Sequence, residues 1–226
     1  LGLAALPSFW FLVFGRKRPG ADLAFLGLMA APVVLETFKS LYVDPFPRLQ
    51  LHVLGLMMWY RTGIVAILLI RKMEGIGFGF VPQRREWGIG VRNYLLFLPI
   101  GYLSAVLLNF VRPHPITVTL QTAALAIVTF IVTLWVLALA EEFFFRGLLQ
   151  QMLSRSLKTE FLAIAVASLL FGSAHLGYRD FPNWRFALLA AAAGVFYGRA
   201  YSQAGSIRAA MVTHALVVTT WRVFLA

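Results

Sequence analysis

Hydrophobic positions along this chain form long blocks separated by short polar connections. Many of the blocks approach the ~20 residues that an α-helix needs to cross ~30 Å of hydrocarbon. The pattern therefore predicts an all-α fold, a polytopic transmembrane helical bundle of about eight helices. The fifth block is too long for one simple span, so one of its ends is expected at an interface. The eight blocks are residues 1–14, 21–43, 50–70, 93–111, 120–153, 160–177, 185–203 and 207–226.

Composition and charge support a membrane protein and argue against a nucleic-acid partner. Of the 226 residues, 60% are hydrophobic, and the net charge is +11. A soluble domain would have about 45–50% apolar residues. The connections after the first, third, fifth and seventh blocks carry more Lys and Arg than the others, as expected for cytoplasmic loops of a multi-pass protein in the cell membrane. Cysteine is absent, which excludes disulfides and cysteine metal sites.

The distribution of distinctive residues divides the chain into two parts. Residues 1–92 are expected to form N-terminal transmembrane helices and a basic cytoplasmic loop. Residues 93–226 contain the segments with candidate chemistry, and we expect one integral membrane domain overall.

Ionisable side chains inside membrane helices are costly and are usually functional or paired. Glu36 and Arg61 lie on consecutive helices, which we expect to be antiparallel neighbours, so the two side chains are predicted to form a structural ion pair. A substrate-facing role for Arg61 is the alternative. The ionisable residues that lie well inside the blocks are Glu36, Arg61, Glu141, Glu142, His175 and His214.

The segment ALAEEFFFRGLLQ, residues 138–150, places two adjacent carboxylates in an apolar block. Glu142 and Arg146 are four residues apart and share a helix face, so they are predicted to pair. Glu141 points about 100° away from Glu142. It is therefore left without a partner, next to Phe145, and is a candidate general base.

Two histidines follow, each on a separate helix. Phe171 and His175 are four residues apart and share a face, and His214 lies about two turns into the last block, with threonines around it. Two histidines and a free glutamate on three helices predict a catalytic cluster. Gly194 and Gly198 form a small-residue pair that predicts close helix packing between these helices.

These segments resemble those of the CAAX protease and bacteriocin-processing family, which includes the type II CAAX prenyl endopeptidases. The resemblance covers roughly residues 93–226. It implies an intramembrane, glutamic-type endopeptidase whose partners are the lipid bilayer and a membrane-associated protein or peptide. That substrate would be cut near its C-terminal part, either a prenylated tail or a sorting anchor. The matching segments are EEFFFR at 141–146, FGSAH at 171–175, and GSI at 205–207 leading to His214.

The resemblance also implies individual roles. Glu141 would activate water with help from His175, and His214 would help to hold the oxyanion. Arg146 would orient Glu142, in agreement with the spacing argument. No metal or other cofactor is implied.

One position departs from the family pattern. The fourth residue after the second histidine is usually Asn or Asp, which completes the oxyanion site, but here it is Val218. Valine donates no hydrogen bond, and losing one oxyanion donor costs about a hundredfold or more in rate. Either another donor substitutes, such as Thr219 or Asn109 on the fourth block, or the substrate is handled differently, or the activity is weak.

Two other functions are compatible with the residues. A zinc protease would use Glu141, His175 and His214 as ligands, but would leave only Glu142, already held by Arg146, as a base. A non-catalytic immunity factor, scaffold or small transporter is the third possibility, and Val218 is its best support.

Overall fold

The computed structural model describes residues 2–14, 19–43, 46, 51–112, 118–179 and 181–225. Within these ranges the regular secondary structure is helical, with no strand. The predicted all-α fold class is therefore confirmed. The described helices are α1 (Gly2–Phe14), α2 (Pro19–Val34), α3 (Thr37–Leu41), α4 (Leu51–Arg71), α5 (Arg84–Leu107), α6 (Leu120–Leu157), α7 (Glu160–Ser173), α8 (Trp184–Ala204) and α9 (Ile207–Thr220, continued by a π-helical turn over Trp221–Leu225).

Each apolar block corresponds to a helix, except that the second block is divided into α2 and α3. Among the described residues, α4, α5 and α6 are long and apolar enough to cross a membrane, judged by length and composition, and the segment 20–34 and α7 are shorter apolar helices. Helix α6 has 38 residues. At 1.5 Å per residue it is about 57 Å long, which exceeds the ~30 Å hydrocarbon core and accounts for the unusual length of the fifth block.

The chain forms two compact units, Leu1–Glu74 and Gly75–Ala226. The boundary between these units lies before the glycine-rich basic connection, whereas the block pattern predicted a division after residue 92. The reason is that this connection is hydrogen-bonded to the second unit. Tyr201 donates to the carbonyl of Gly75 at 2.9 Å, and Ser206 donates to the carbonyl of Gly77 at 2.8 Å.

Gly77 shows why the connection needs glycine. Its φ is +62°, and a Cβ there would overlap the backbone of Ser206. Only a residue without a side chain fits this approach at low cost.

The first unit contains an ion pair, but not the one predicted. Arg71 Nε and Nη2 donate to the two carboxylate oxygens of Asp22 at 2.7 and 2.9 Å. Glu36 instead lies in the turn between α2 and α3 with φ +50°, and its carboxylate accepts from Lys39 at 2.6 Å, with 63% of the Glu36 side chain exposed. The predicted Glu36–Arg61 pair is therefore wrong for the described residues, because the helix breaks at Glu36 and turns this side chain towards its own local partner. Residues 15–18 and 48, which carry part of the predicted basic connections, lie outside the described residues.

In the second unit, small residues on α8 let α6 and α7 approach closely. A Cβ at Gly194 would lie 3.2 Å from both Arg146 Nη2 and Ser168 Cβ, and a Cβ at Gly198 would lie 2.6 Å from Gln150 Oε1. The predicted small-residue contact is therefore present, and it brings the backbone of α8 to the buried polar side chains of α6.

The contact of α5 with α9 is equally close and gives a test of the packing. A Cβ at Gly90 would lie 2.6 Å from Val212 Cβ and 2.9 Å from the carbonyl of Ala209, whereas a Cβ at Gly88 would meet open space. Because overpacking a tight contact costs about 1–3 kcal/mol, Gly90→Ala is expected to lower the unfolding temperature in detergent clearly. Gly88→Ala, in the same helix, is the matched control and should leave it unchanged or slightly raised. Equal effects of the two substitutions would contradict the described α5–α9 contact.

Candidate active site

The carboxylate of Glu142 is the centre of the polar cluster in the second unit. Its side chain is fully buried. Oε1 lies 2.7 Å from Nδ1 of His214, and Oε2 lies 3.2 Å from Nε of Arg146. The Glu142–Arg146 pair predicted from the spacing is therefore present. An ionised carboxylate only accepts hydrogen bonds, so His214 donates through Nδ1.

Arg146 is stabilised by a backbone carbonyl and by two aromatic rings. Its side chain is fully buried, and Nη2 donates to the carbonyl of Gly194 at 2.9 Å. The guanidinium carbon lies 4.7 Å from the ring centre of Phe171 and 5.3 Å from that of Tyr197. Cation–π attraction thus adds to the ion pair in stabilising this charge away from water.

The imidazole of His214 packs against two aromatic rings. Its imidazole stacks on Tyr197 with centroids 4.6 Å apart and an interplanar angle of 10°, and Phe171 meets it edge-on at 5.9 Å. Since Nδ1 is bound to Glu142, the other ring nitrogen is directed elsewhere. Nε2 lies 3.9 Å from Oε2 of Glu141. The two adjacent glutamates therefore contact opposite nitrogens of one imidazole.

Glu141 differs from its neighbour in both exposure and bonding. Its side chain is 22% exposed, and Oε2 accepts no hydrogen bond from the part of the chain that the structure describes. Glu141 lines a cavity of about 260 Å³ within the second unit. The cavity is mostly apolar, and His175, Tyr197 and His214 also contribute to its wall.

His175 lines the same cavity from the turn that follows α7. Its Nδ1 lies 2.7 Å from the carbonyl oxygen of Phe171. A carbonyl only accepts, so Nδ1 is the donor and Nε2 is left as the second functional nitrogen. Of the two histidines predicted for the site, it is His214 and not His175 that lies within 4 Å of the Glu141 carboxylate. The family resemblance had assigned the assisting role to His175.

The predicted substitutes for the missing polar residue do not lie at the cavity. Val218 itself lines the cavity, but Thr219 and Asn109 are not among its described lining residues. Thr219 is buried, and Asn109 lies in an exposed turn after α5 with φ +52°. One-residue differences along α9 rotate a side chain by about 100°, so Thr219 lies off the cavity face that Val218 occupies.

Two hydroxyls that do reach the cavity form a pair. Tyr94 on α5 and Thr220 on α9 both line it, and their oxygens are 2.8 Å apart. Thr220 was recognisable as one of the threonines near His214. Tyr94 carried no signal, since tyrosines are common in membrane helices near the membrane–water interfaces.

A zinc site requires several His, Asp or Glu side chains whose donor atoms surround one ion. Among the described residues, no three His, Asp or Glu side chains lie close enough together to hold one metal ion. The set Glu141, His175 and His214 is therefore not assembled as a ligand shell, and Glu142 is already bound on both oxygens. The residues as placed do not fit a zinc ion, and no chemical step is derived through one.

The buried ion pair gives a stability prediction. Arg146→Ala is expected to lower the free energy of unfolding by about 3–5 kcal/mol, because it leaves the buried Glu142 carboxylate without its partner. Adding Glu142→Gln should restore part of the loss by removing the stranded charge. Arg199→Ala, an exposed position on α8, is the control and should change stability by less than about 0.5 kcal/mol. Equilibrium unfolding in mixed detergent micelles measures all three, and equal losses for Arg146→Ala and Arg199→Ala would contradict the buried pair.

The sequence of the second unit was found to be similar to one known protein family over part of its length. Residues 123–220 match the family described as type II CAAX prenyl endopeptidase Rce1-like. This range contains the paired glutamates, Arg146 and both histidines. No curated protein and no solved structure gives a match. Over this range, which is less than half of the chain, the sequence is similar to the Rce1-like type II CAAX prenyl endopeptidases.

Proposed function

We propose that this chain is a glutamic-type intramembrane endopeptidase that hydrolyses a peptide bond near the C-terminal, membrane-associated part of a protein substrate. The match of residues 123–220 to the type II CAAX prenyl endopeptidase family supports protease activity. The observation that carries the finer proposal is Oε2 of Glu141, which accepts no hydrogen bond from the described residues and lies 3.9 Å from Nε2 of His214 at the wall of a mostly apolar cavity.

The spacing of these two acceptors suits one water molecule. A water at about 2.8 Å from each atom can donate one hydrogen to Glu141 and the other to Nε2 of His214. Glu141 takes a proton, and the oxygen adds to the substrate carbonyl carbon. The tetrahedral intermediate then breaks the C–N bond, and the proton passes to the leaving amine. Glu142 keeps Nδ1 of His214 protonated, so that Nε2 faces the water.

His175 and the hydroxyl pair supply the remaining groups in this proposal. Nε2 of His175 is available to a bound substrate, because Nδ1 is occupied by the Phe171 carbonyl. The pair of Tyr94 and Thr220 has two hydroxyl hydrogens and uses one between its members. The second is our candidate donor to the oxyanion, in place of the side chain that Val218 lacks.

Glu141→Gln tests the chemistry. It is expected to reduce cleavage by about 10²–10⁴-fold without loss of folding, measured by mass spectrometry of membrane-protein C-termini in cells with and without the chain. Glu160→Gln, an exposed acid at the start of α7, is the matched control and should cleave normally. Full function of the Glu141→Gln chain would indicate a non-catalytic role. Loss of activity with a chelator, together with stoichiometric zinc, would favour the metalloprotease alternative.

We also propose that the protein resides in the cell membrane with its basic connections in the cytoplasm. The cavity is lined from the C-terminal halves of α5 and α9 and the turn after α7. These are the helix ends opposite the basic connections, so the cavity lies towards the non-cytoplasmic side in this orientation.

The absence of cysteine makes the orientation directly measurable. Gly177→Cys, in an open position after α7, is expected to react with a membrane-impermeant maleimide added to intact cells. Ser156→Cys, exposed near the end of α6, should react only after permeabilisation. The reverse labelling would invert the topology and place the cavity on the side where cytoplasmic tails reach it.

A further inference from the structure

Three arginines lie together on the outer face of the second unit, outside the cavity. Arg92 Nη2 donates to Oε1 of Gln203 at 2.8 Å, and Arg85 Nη2 donates to the backbone carbonyl of the same residue at 3.3 Å. Arg199 is four residues before Gln203 on α8, so it shares that helix face. All three arginines are exposed, and none of them lines the cavity. This arginine cluster, Arg85, Arg92 and Arg199, therefore places three positive charges around one glutamine.

No carboxylate of the described residues neutralises the arginine cluster. The acid nearest to it in sequence, Glu86, is buried and already bound on both oxygens. Its Oε1 lies 2.8 Å from Nη2 of Arg208, and its Oε2 accepts from the backbone N–H of Gln83 at 2.6 Å. Exposed guanidinium groups without an acid of their own are suited to bind an anion from outside the chain.

Helices α5 and α8 run antiparallel beside this cluster. Asn93 donates to Oε1 of Gln203 at 2.9 Å, and the ring of Phe97 lies 5.4 Å from that of Phe196. Later residues of α5 therefore meet earlier residues of α8. The arginines at the start of α5 and near the end of α8 thus lie at the same end of the helix contact.

The side chains one and three turns away from Arg92 and from Arg199 are exposed and apolar. They share the face of their arginine, because spacings of 4 and 11 residues return to nearly the same side of a helix. Eleven residues rise about 17 Å, which is close to half of the ~30 Å hydrocarbon core. The surface therefore has a cationic end and an apolar face about as long as one leaflet. The apolar side chains are Leu96 and Leu103 on α5 and Val195 and Leu188 on α8.

Gly88 leaves space for a bulky anion between two of the arginines. It follows Arg85 by about one turn and precedes Arg92 by about one turn, and a Cβ at this position would meet open space. Arginine binds phosphate through two parallel hydrogen bonds. A phosphate that continues into hydrocarbon chains matches both the charge and the apolar face.

We propose that the arginine cluster is a binding site for an anionic phospholipid. The lipid phosphate is held by Arg92 and Arg199, and its acyl chains lie along the exposed apolar side chains of α5 and α8. The cluster adjoins the basic connections, so the proposed orientation places it at the cytoplasmic leaflet, where anionic lipids attract basic side chains. Because the lipid contacts both helices, it stabilises the packing of α5 against α8. The proposal concerns the outer face of the protein and does not depend on peptide hydrolysis.

The test compares an anionic lipid with a zwitterionic one of the same acyl chains. Tail-labelled fluorescent phosphatidylglycerol or phosphatidylcholine is titrated into the purified full chain in an uncharged detergent. We expect phosphatidylglycerol to bind more tightly, and Arg92→Gln and Arg199→Gln each to reduce its affinity about fivefold. The affinity for phosphatidylcholine should not change. Arg199→Gln is the more decisive variant, since Arg199 makes no hydrogen bond within the described part of the chain.

Lys158→Gln is the matched control, because Lys158 is an exposed basic residue at the end of α6 and is outside the cluster. It should keep the full preference for phosphatidylglycerol. A preference that survives the double variant Arg92→Gln with Arg199→Gln overturns the proposal, as does an equal loss on Lys158→Gln.

Two further outcomes also overturn the proposal. An equal loss of both lipids on Arg199→Gln would show a packing defect and not recognition of the headgroup. Complete displacement of the labelled phosphatidylglycerol by millimolar inorganic phosphate would show a site for a soluble anion. Retention of the lipid under these conditions, with loss on Arg199→Gln, supports the lipid site.

Discussion

The burial of the Glu142 carboxylate together with the Arg146 guanidinium is the constraint on which the site depends. Neither side chain is exposed, and removing two charges from water costs several kcal/mol per ion before any pairing. The cost is offset by their mutual contact, by the His214 ring on the other carboxylate oxygen, and by the Gly194 carbonyl on the guanidinium. Each of these partners comes from a different helix, so the polar centre also fixes the helix arrangement.

The small residues of α8 are a condition for that centre. A side chain at Gly194 would approach Nη2 of Arg146 to 3.2 Å, and it would also press on Ser168 of α7. With glycine there, α8 comes close enough for its backbone carbonyl to accept from Arg146. Close approach also places Tyr197 of α8 flat against His214. Helix packing and the orientation of the histidine are therefore consequences of one small-residue face.

Adjacency of the two glutamates produces a division of roles. Successive helical residues are separated by about 100°, so one carboxylate enters the packed interior while the next faces the cavity. The imidazole of His214 joins the two, with Nδ1 on the buried Glu142 and Nε2 towards the partly buried Glu141. A rigid carboxylate thus orients the histidine, and the free carboxylate keeps the lone pairs that a base requires.

The parts of the fold that depend on local periodicity could be predicted from the sequence. Block lengths indicated the helices, and the four-residue spacing indicated the contact of Glu142 with Arg146. The contact of Glu142 with His214 spans 72 positions and depends on how α6 and α9 align, which no spacing within one helix determines. The same limit explains the failure of the Glu36–Arg61 pair, since block position does not reveal a helix break at Glu36.

The polar lining of the cavity near Val218 depends on the contact between two helices. Val218 is on the cavity face of α9 but contributes only apolar surface. The hydroxyls of Tyr94 and Thr220 lie against the same cavity, and their hydrogen bond crosses from α5 to α9. Because Gly90 allows these two helices into close contact, a side chain of α5 reaches the hydroxyl of α9. A polar group at this part of the cavity therefore requires the packing of two helices and is not determined by a single position of α9.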